Sequence, residues 1–259
     1  MVTPTEGDHV ILTNAYWGLR DWLRSATGIG TQKGFLGVGR IRGIPIRIHV
    51  SWLAILALLA WGLATRYFPL WNPGARTEGS YWPFGLASAL LILASVLLHE
   101  IGHAVWAVRE DIPVRYISLL MFGGVTRIGS KPQTARADFG IAVAGPLTSL
   151  GLAGFAAALG AVVEPGTVWH SVSRLLVATN LLLAISNLIP AFPLDGGRAM
   201  RAMLWGLTGN QLGATRNALW LGLLCALASF GMGVVLAAFS SLWLGLLLVI
   251  SGLYLSLIH

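Results

Sequence analysis

Three residues in one apolar stretch could do chemistry. Residues 94–110 read ASVLLHEIGHAVWAVRE, so His99, Glu100 and His103 form H-E-x-x-H. Ionisable groups are costly at membrane depth and are rarely kept there without a use. On a helix, residues i and i+4 share a face one turn apart. Imidazoles at 99 and 103 can therefore hold one zinc ion, with Glu100 placed to take a proton from water on that ion. Zinc lowers the pKa of such water from about 15.7 to about 7. The plainer alternative is two packed histidines paired with Glu100 or backbone. Against it, Glu100 is the one acidic residue well inside any apolar segment, and an unpaired buried carboxylate is expensive.

A catalytic zinc needs a third protein ligand and an open position. His9 and His259 lie near the ends of the chain, and His170 falls on the opposite membrane face. His49, at the start of the first apolar segment, reads better as an interfacial residue. Glu78 and Glu164 also fall on the far side. Glu6, Asp8, Asp21, Glu110, Asp111 and Asp138 occupy tails or polar loop ends, where a solvated charge is expected. That leaves Asp195, in NLIPAFPLDGGRAMRA. Pro190 and Pro193 break the helix before it, and Gly196-Gly197 are expected to keep the backbone loose. Irregular backbone at membrane depth is tolerated where protein or a water cavity covers it. Asn187, eight residues earlier, is either a helix–helix hydrogen-bonding group or a donor aimed at an oxyanion.

The elements that must position these residues are membrane spans. The chain has 259 residues, of which 56% are hydrophobic and 10% charged, against about 25% charged in a soluble domain. Six segments, roughly 50–68, 82–108, 138–162, 169–190, 214–238 and 241–258, approach the length of about 20 residues that a span needs. Basic residues cluster before the first, between the second and third, and between the fourth and fifth segments. That bias puts both termini in the cytoplasm. It also accounts for most of the +7 net charge, so nucleic acid is not expected as a partner. The second and fourth spans then run inward together. His103 precedes the cytoplasmic end of its span by about 9 Å, a depth that Asp195 can share.

Other stretches are not spans. Residues 10–27, with Trp17 and Trp22 among Arg20 and Arg24, fit an interfacial amphipathic helix or an unordered tail. Residues 36–48 alternate Ile with Arg and read as short strands. Residues 116–128 read as strand with a break at Gly123-Gly124. Residues 1–35 are thus expected as a cytoplasmic or interfacial segment, and 36–259 as one membrane domain. The fold class is all-α and polytopic, with about six transmembrane helices and short membrane-associated strands near the cytoplasmic face. There is no apolar core with a small-residue cleavage site at the start, so no removable signal peptide is expected. The single cysteine, Cys225, permits no internal disulfide.

From about Gly37 to Trp205 the sequence resembles the site-2 protease family of intramembrane zinc metalloproteases, peptidase family M50. The resemblance is carried by GRIRGIPIRIHVSW, LLHEIGHAVWA, DIPVRYISLLMFGGV (where Asp111 replaces the usual glycine), AVAGPLTSL at 142–150, and NLIPAFPLDGGRAMRA. It implies one zinc ion per chain, held by His99, His103 and Asp195, with Glu100 as the base. It also implies Asn187 as a polar contact to substrate or transition state. Its subgroup often carries paired CBS domains after the last span; none is expected within these residues.

The implied function is hydrolysis of a peptide bond in or near the span of a transmembrane protein in the cell membrane. An anti-sigma factor or membrane-tethered transcription factor is the substrate the resemblance suggests. Gly123 and Gly124 are expected to help an extended substrate segment add as a strand; the alternative is a membrane-dipping hairpin that only plugs the cavity. Three rivals remain. A zinc- or proton-coupled transporter would show repeated halves, and none is seen. An inactive scaffold would lack a ligand or the base. A membrane protease with a glutamate as third ligand would need one later than Asp138, where only Glu164 stands.

Overall fold

The computed structural model describes residues 34–73, 81–120 and 123–239. Its chain order is β1 (Phe35–Ile41), β2 (Ile44–His49), α1 (Ser51–Trp71), α2 (Trp82–Arg109), β3 (Val114–Leu120), β4 (Gly123–Ile128), α3 (Ala135–Val162), α4 (Val168–Leu188), α5 (Asp195–Thr208) and α6 (Gln211–Phe239). Among the described residues four helices, α1 to α4, are long and apolar enough to cross a membrane. They match the first four expected segments within a few residues, and α6 stands where the fifth was expected. The sixth segment, 241–258, and the amphipathic stretch 10–27 lie outside the described residues.

Local chemistry explains several element boundaries. Pro69 has no N–H for the carbonyl a turn earlier, and the helix ahead of it widens into a π turn at Leu63–Tyr67. Thr134 caps α3 by accepting from Ala137 N at 3.1 Å, and Thr167 caps α4 by accepting from His170 N at 3.2 Å. At the C-terminus of α2, Asp111 takes a left-handed φ of 56°, a position usually given to glycine.

Among the described residues four strands form one sheet in the order β1-β2-β3-β4. β1/β2 and β3/β4 are antiparallel hairpins, while β2 and β3 are parallel. α1 and α2 lie between β2 and β3 in sequence. An out-and-back pair of helices returns the chain to the side it left, which lets the two strands run in the same direction. The strand expectations for 36–48 and 116–128 hold. However, Gly123 and Gly124 are the first two residues of β4 rather than a break in it.

Helix α3 packs against α2 through glycines. A β-carbon at Gly102 would stand 2.3 Å from Thr148 Oγ1, and one at Gly140 would stand 2.0 Å from Trp106 Nε1. Small residues allow such close helix approach in lipid, where no hydrophobic effect drives association. At the other end of α1, Tyr81 OH donates to the Asn72 carbonyl at 2.7 Å, and Asn72 Nδ2 donates to Ser171 Oγ at 3.0 Å. These polar groups are buried, so their mutual bonding avoids the cost of orphaned donors.

Candidate metal centre

His99 and His103 project from one face of α2 and are 3% and 4% exposed. Their rings meet edge to face, with centroids 5.0 Å apart. Each ring is held at its Nδ1 by α3. His103 Nδ1 donates to the Ile141 carbonyl at 2.6 Å, and His99 Nδ1 lies 2.9 Å from Ser149 Oγ. The carbonyl can only accept, so His103 carries its proton on Nδ1 and its Nε2 is the free lone pair. Gly145 fits beneath both rings; a β-carbon there would be 2.2 Å from His103 Nε2 and 2.7 Å from His99 Nε2.

Asp195, the first residue of α5, closes the third side. Its Oδ2 stands 3.1 Å from His99 Nε2 and 3.1 Å from His103 Nε2. A tetrahedral zinc with bonds of about 2.0 Å spaces its ligands by about 3.3 Å, so both distances from Asp195 Oδ2 suit such an ion.

Glu100 is buried beside them, and the ligand atoms of His99, Glu100 and His103 all lie within 4.8 Å of one another. Two donor sets are thus available, with Asp195 or Glu100 as third member. The set with Asp195 fits better, because one of its oxygens is equidistant from both Nε2 atoms. Glu100 faces the sheet instead. Thr126 Oγ1, on β4, is 2.8 Å from Glu100 Oε2 and 3.0 Å from its backbone carbonyl. A β-carbon at Gly124 would stand 2.2 Å from Glu100 Cγ. Only glycine lets this strand come so near the carboxylate.

Two expectations need correction. Asp138 is not a solvated loop charge. It is 0% exposed in the first turn of α3, where Arg201 Nη2 approaches its Oδ2 to 2.5 Å and Arg198 Nη2 its Oδ1 to 3.5 Å. The sequence hid this because its partners lie 60 and 63 residues away. Nor do Gly196 and Gly197 loosen the backbone. Both are helical and buried, and a β-carbon at Gly196 would meet the Ile189 and Leu188 carbonyl oxygens at 2.3 Å. They let α5 start hard against the loop before it.

Asn187 ends up in the last turn of α4, donating through Nδ2 to the Leu183 carbonyl at 2.9 Å. Among the described residues no hydrogen bond joins it to the histidines, Glu100 or Asp195. His49 stays away from the centre and bonds Ser51 Oγ through Nδ1 at 2.9 Å. Ser149 and Gly145 were missed as site residues, although both stand in AVAGPLTSL. Thr126 was missed because one threonine in a strand carries no signal by itself.

A helical membrane protein with a two-histidine, one-aspartate donor set is thus defined by fold and geometry. The model of Peptidase family M50 matches residues 87–173 and 162–230, and the chain belongs to that family. Rip3 of Mycobacterium tuberculosis, named as a zinc metalloprotease, is 40% identical over 200 residues, which are 76% of this chain and 50% of Rip3. Zinc metalloprotease MJ0392 of Methanocaldococcus jannaschii is 31% identical over 165 residues, 64% of this chain and 44% of that protein. The solved structure of the site-2 protease from Methanocaldococcus jannaschii superposes with TM-score 0.53 and 26% identity, over 86% of this chain and 92% of that one. The chain spans about half the length of the curated relatives it matches.

Proposed function

We propose that this chain is an intramembrane zinc metalloprotease that cuts a peptide bond within or near the span of a transmembrane protein. The observation that carries the reading is the meeting of His99 Nε2, His103 Nε2 and Asp195 Oδ2 at 3.1 Å, with the Glu100 carboxylate beside them. In this reading His99, His103 and Asp195 hold one zinc ion and Glu100 is the general base. Bound zinc supplies Lewis acidity, making water nucleophilic near neutral pH and polarising a carbonyl.

The chain's own groups do the rest. Glu100 takes a proton from the attacking water and passes it to the leaving amine. Thr126 keeps one carboxylate oxygen in place. A peptide bond inside a helix is protected, because its carbonyl is already hydrogen-bonded, so the substrate must be extended when cut. β4 ends the order of strands among the described residues, and its Gly123–Gly124 segment runs past Glu100. An extended substrate pairs there by strand addition. Asn187 contacts the substrate or its oxyanion after releasing Leu183.

The rest of the reading is topological. Residues 36–259 form one protease domain with six spans: α1 to α4, α6 and residues 241–258. Residues 1–35 are cytoplasmic or interfacial. The basic loops place both termini in the cytoplasm of a multi-pass cell-membrane protein. An anti-sigma factor or a membrane-tethered transcription factor is the proposed substrate class. The test is co-expression of Glu100→Gln with a tagged single-span substrate. Loss of the cleaved product is expected; undiminished cleavage removes Glu100 from its role. Zinc uptake into vesicles without proteolysis would favour a transporter instead.

A further inference from the structure

We propose that Asp138 and Arg201, with Arg198, are positioning residues that set where Asp195 meets the two imidazoles; this rests on the ligand role proposed for Asp195. α3 already fixes both histidine rings, through the Ile141 carbonyl and Ser149 Oγ. Asp138 lies three residues before Ile141, and its carboxylate is completely buried. Arg198 and Arg201, three and six residues after Asp195 on α5, each reach one oxygen of Asp138. The Arg201 guanidinium approaches Oδ2 through both Nε, at 3.2 Å, and Nη2, at 2.5 Å. Its Cζ also lies 6.0 Å from the centre of the Phe192 ring, in the loop that feeds α5. One helix, α3, thus holds all three donors: two by hydrogen bonds to imidazoles, the third through an ion pair to the helix that begins with it.

A donor at the first position of a 14-residue helix moves with any slide of that helix along its axis. Apolar packing resists separation but permits sliding, whereas a carboxylate–guanidinium pair has one favoured geometry. A buried ion pair gives little stability beyond what apolar residues of similar size provide. Its distinctive contribution here is therefore the register between α5 and α3. A shift of about one ångström would spoil the match between Asp195 Oδ2 and the two Nε2 atoms, and partners behind metal ligands typically govern affinity by 10- to 100-fold.

The test uses the whole chain in detergent. Zinc affinity is measured by chelator competition, and ligand geometry by the visible absorption of the cobalt-substituted protein. Arg201→Lys keeps the charge but loses the fork; the double variant Asp138→Asn with Arg201→Gln removes the buried carboxylate and its nearer partner, and leaves only Arg198, whose side chain is 24% exposed and reaches water. Both are expected to weaken zinc about 10- to 100-fold and to change the cobalt spectrum while circular dichroism stays the same. A merely structural pair would lower the melting temperature and leave the cobalt spectrum of the folded protein unchanged, and that result overturns the inference. Should the double variant fail to fold, Arg201→Lys decides. Asp195→Ala is run alongside. If it keeps zinc as the wild type does, the ligand reading itself fails; if it loses zinc while the ion-pair variants keep theirs, only the positioning inference fails.

Discussion

Gly145 stands so close to His103 that a β-carbon on it would lie 2.2 Å from Nε2. The same atom would be 2.7 Å from His99 Nε2, so the glycine faces the two lone pairs that would bind metal. Gly145→Ala puts a methyl group where the rings now are. Alanine is the better helix former by roughly 0.5–1 kcal/mol, so α3 itself is not weakened. The rings must turn away, and zinc affinity should fall at least about tenfold, as expected when ligand orientation is lost. Chelator competition on the purified protein checks this; unchanged affinity would show that the rings do not need this space.

Thr126 and Glu100 give a separate prediction, because they touch the base and not the metal donors. The hydroxyl is 2.8 Å from Oε2, and a hydrogen bond to a charged group contributes about 1.5–3 kcal/mol. Thr126→Val keeps the shape and removes the donor. Turnover should fall about 10- to 100-fold, at 1.36 kcal/mol per factor of ten, with zinc content unchanged. Thr126→Ser should retain most activity. A loss of zinc in the valine variant would mean that the threonine supports the metal site rather than the base.

What the sequence disclosed, and what it hid, follows from the range of the signals. The apolar runs that became α1 to α4 were legible, because spanning lipid demands about 20 apolar residues in a row. His99 and His103 were legible because both come from one helix face. Asp195 was reached by comparing depth and by exclusion, and the structure brings it to both rings. The groups behind the ligands were not legible. Ser149 is 50 residues from His99, and the Ile141 carbonyl is 38 from His103; a backbone carbonyl leaves no mark on side-chain pattern at all. Asp138 was misread because a carboxylate at a helix start is usually solvated, and only the fold brings two arginines to it. The Gly196-Gly197 pair was misread because glycine serves both freedom and close approach, and only the neighbours tell which.

Gly196 supplies a prediction that separates those two uses. If the pair served flexibility, Gly196→Ala would stiffen the turn and leave the fold intact. The geometry predicts otherwise, because the new β-carbon would meet backbone oxygens of Leu188 and Ile189 at 2.3 Å, and backbone cannot swing aside as a side chain can. Overpacking of this kind costs about 1–3 kcal/mol. The alanine variant should unfold at a lower temperature and lose zinc, since the shift falls on the residue next to Asp195. A variant with normal melting and normal zinc would restore the flexible reading.

Asp111 yields a prediction of the opposite sign. It follows α2 with φ at 56°, and the Ile112 N–H behind it returns to the Ala107 carbonyl at 2.9 Å, closing the helix end. Left-handed backbone costs an L-residue roughly 1–2 kcal/mol, less for aspartate and nothing for glycine. Asp111→Gly also gives the unfolded chain more freedom, which offsets part of the gain. The net effect should be a stabilisation of roughly 0.5 kcal/mol, seen as a rise in melting temperature on the order of 1–2 °C. Asp111→Val, which is β-branched and ill suited to this φ, should lower it instead. Neither change touches the donors, so zinc content should match the wild type in both. A fall in stability for the glycine variant would mean that the Asp111 side chain holds the α2–β3 connection by a contact that outweighs its backbone strain.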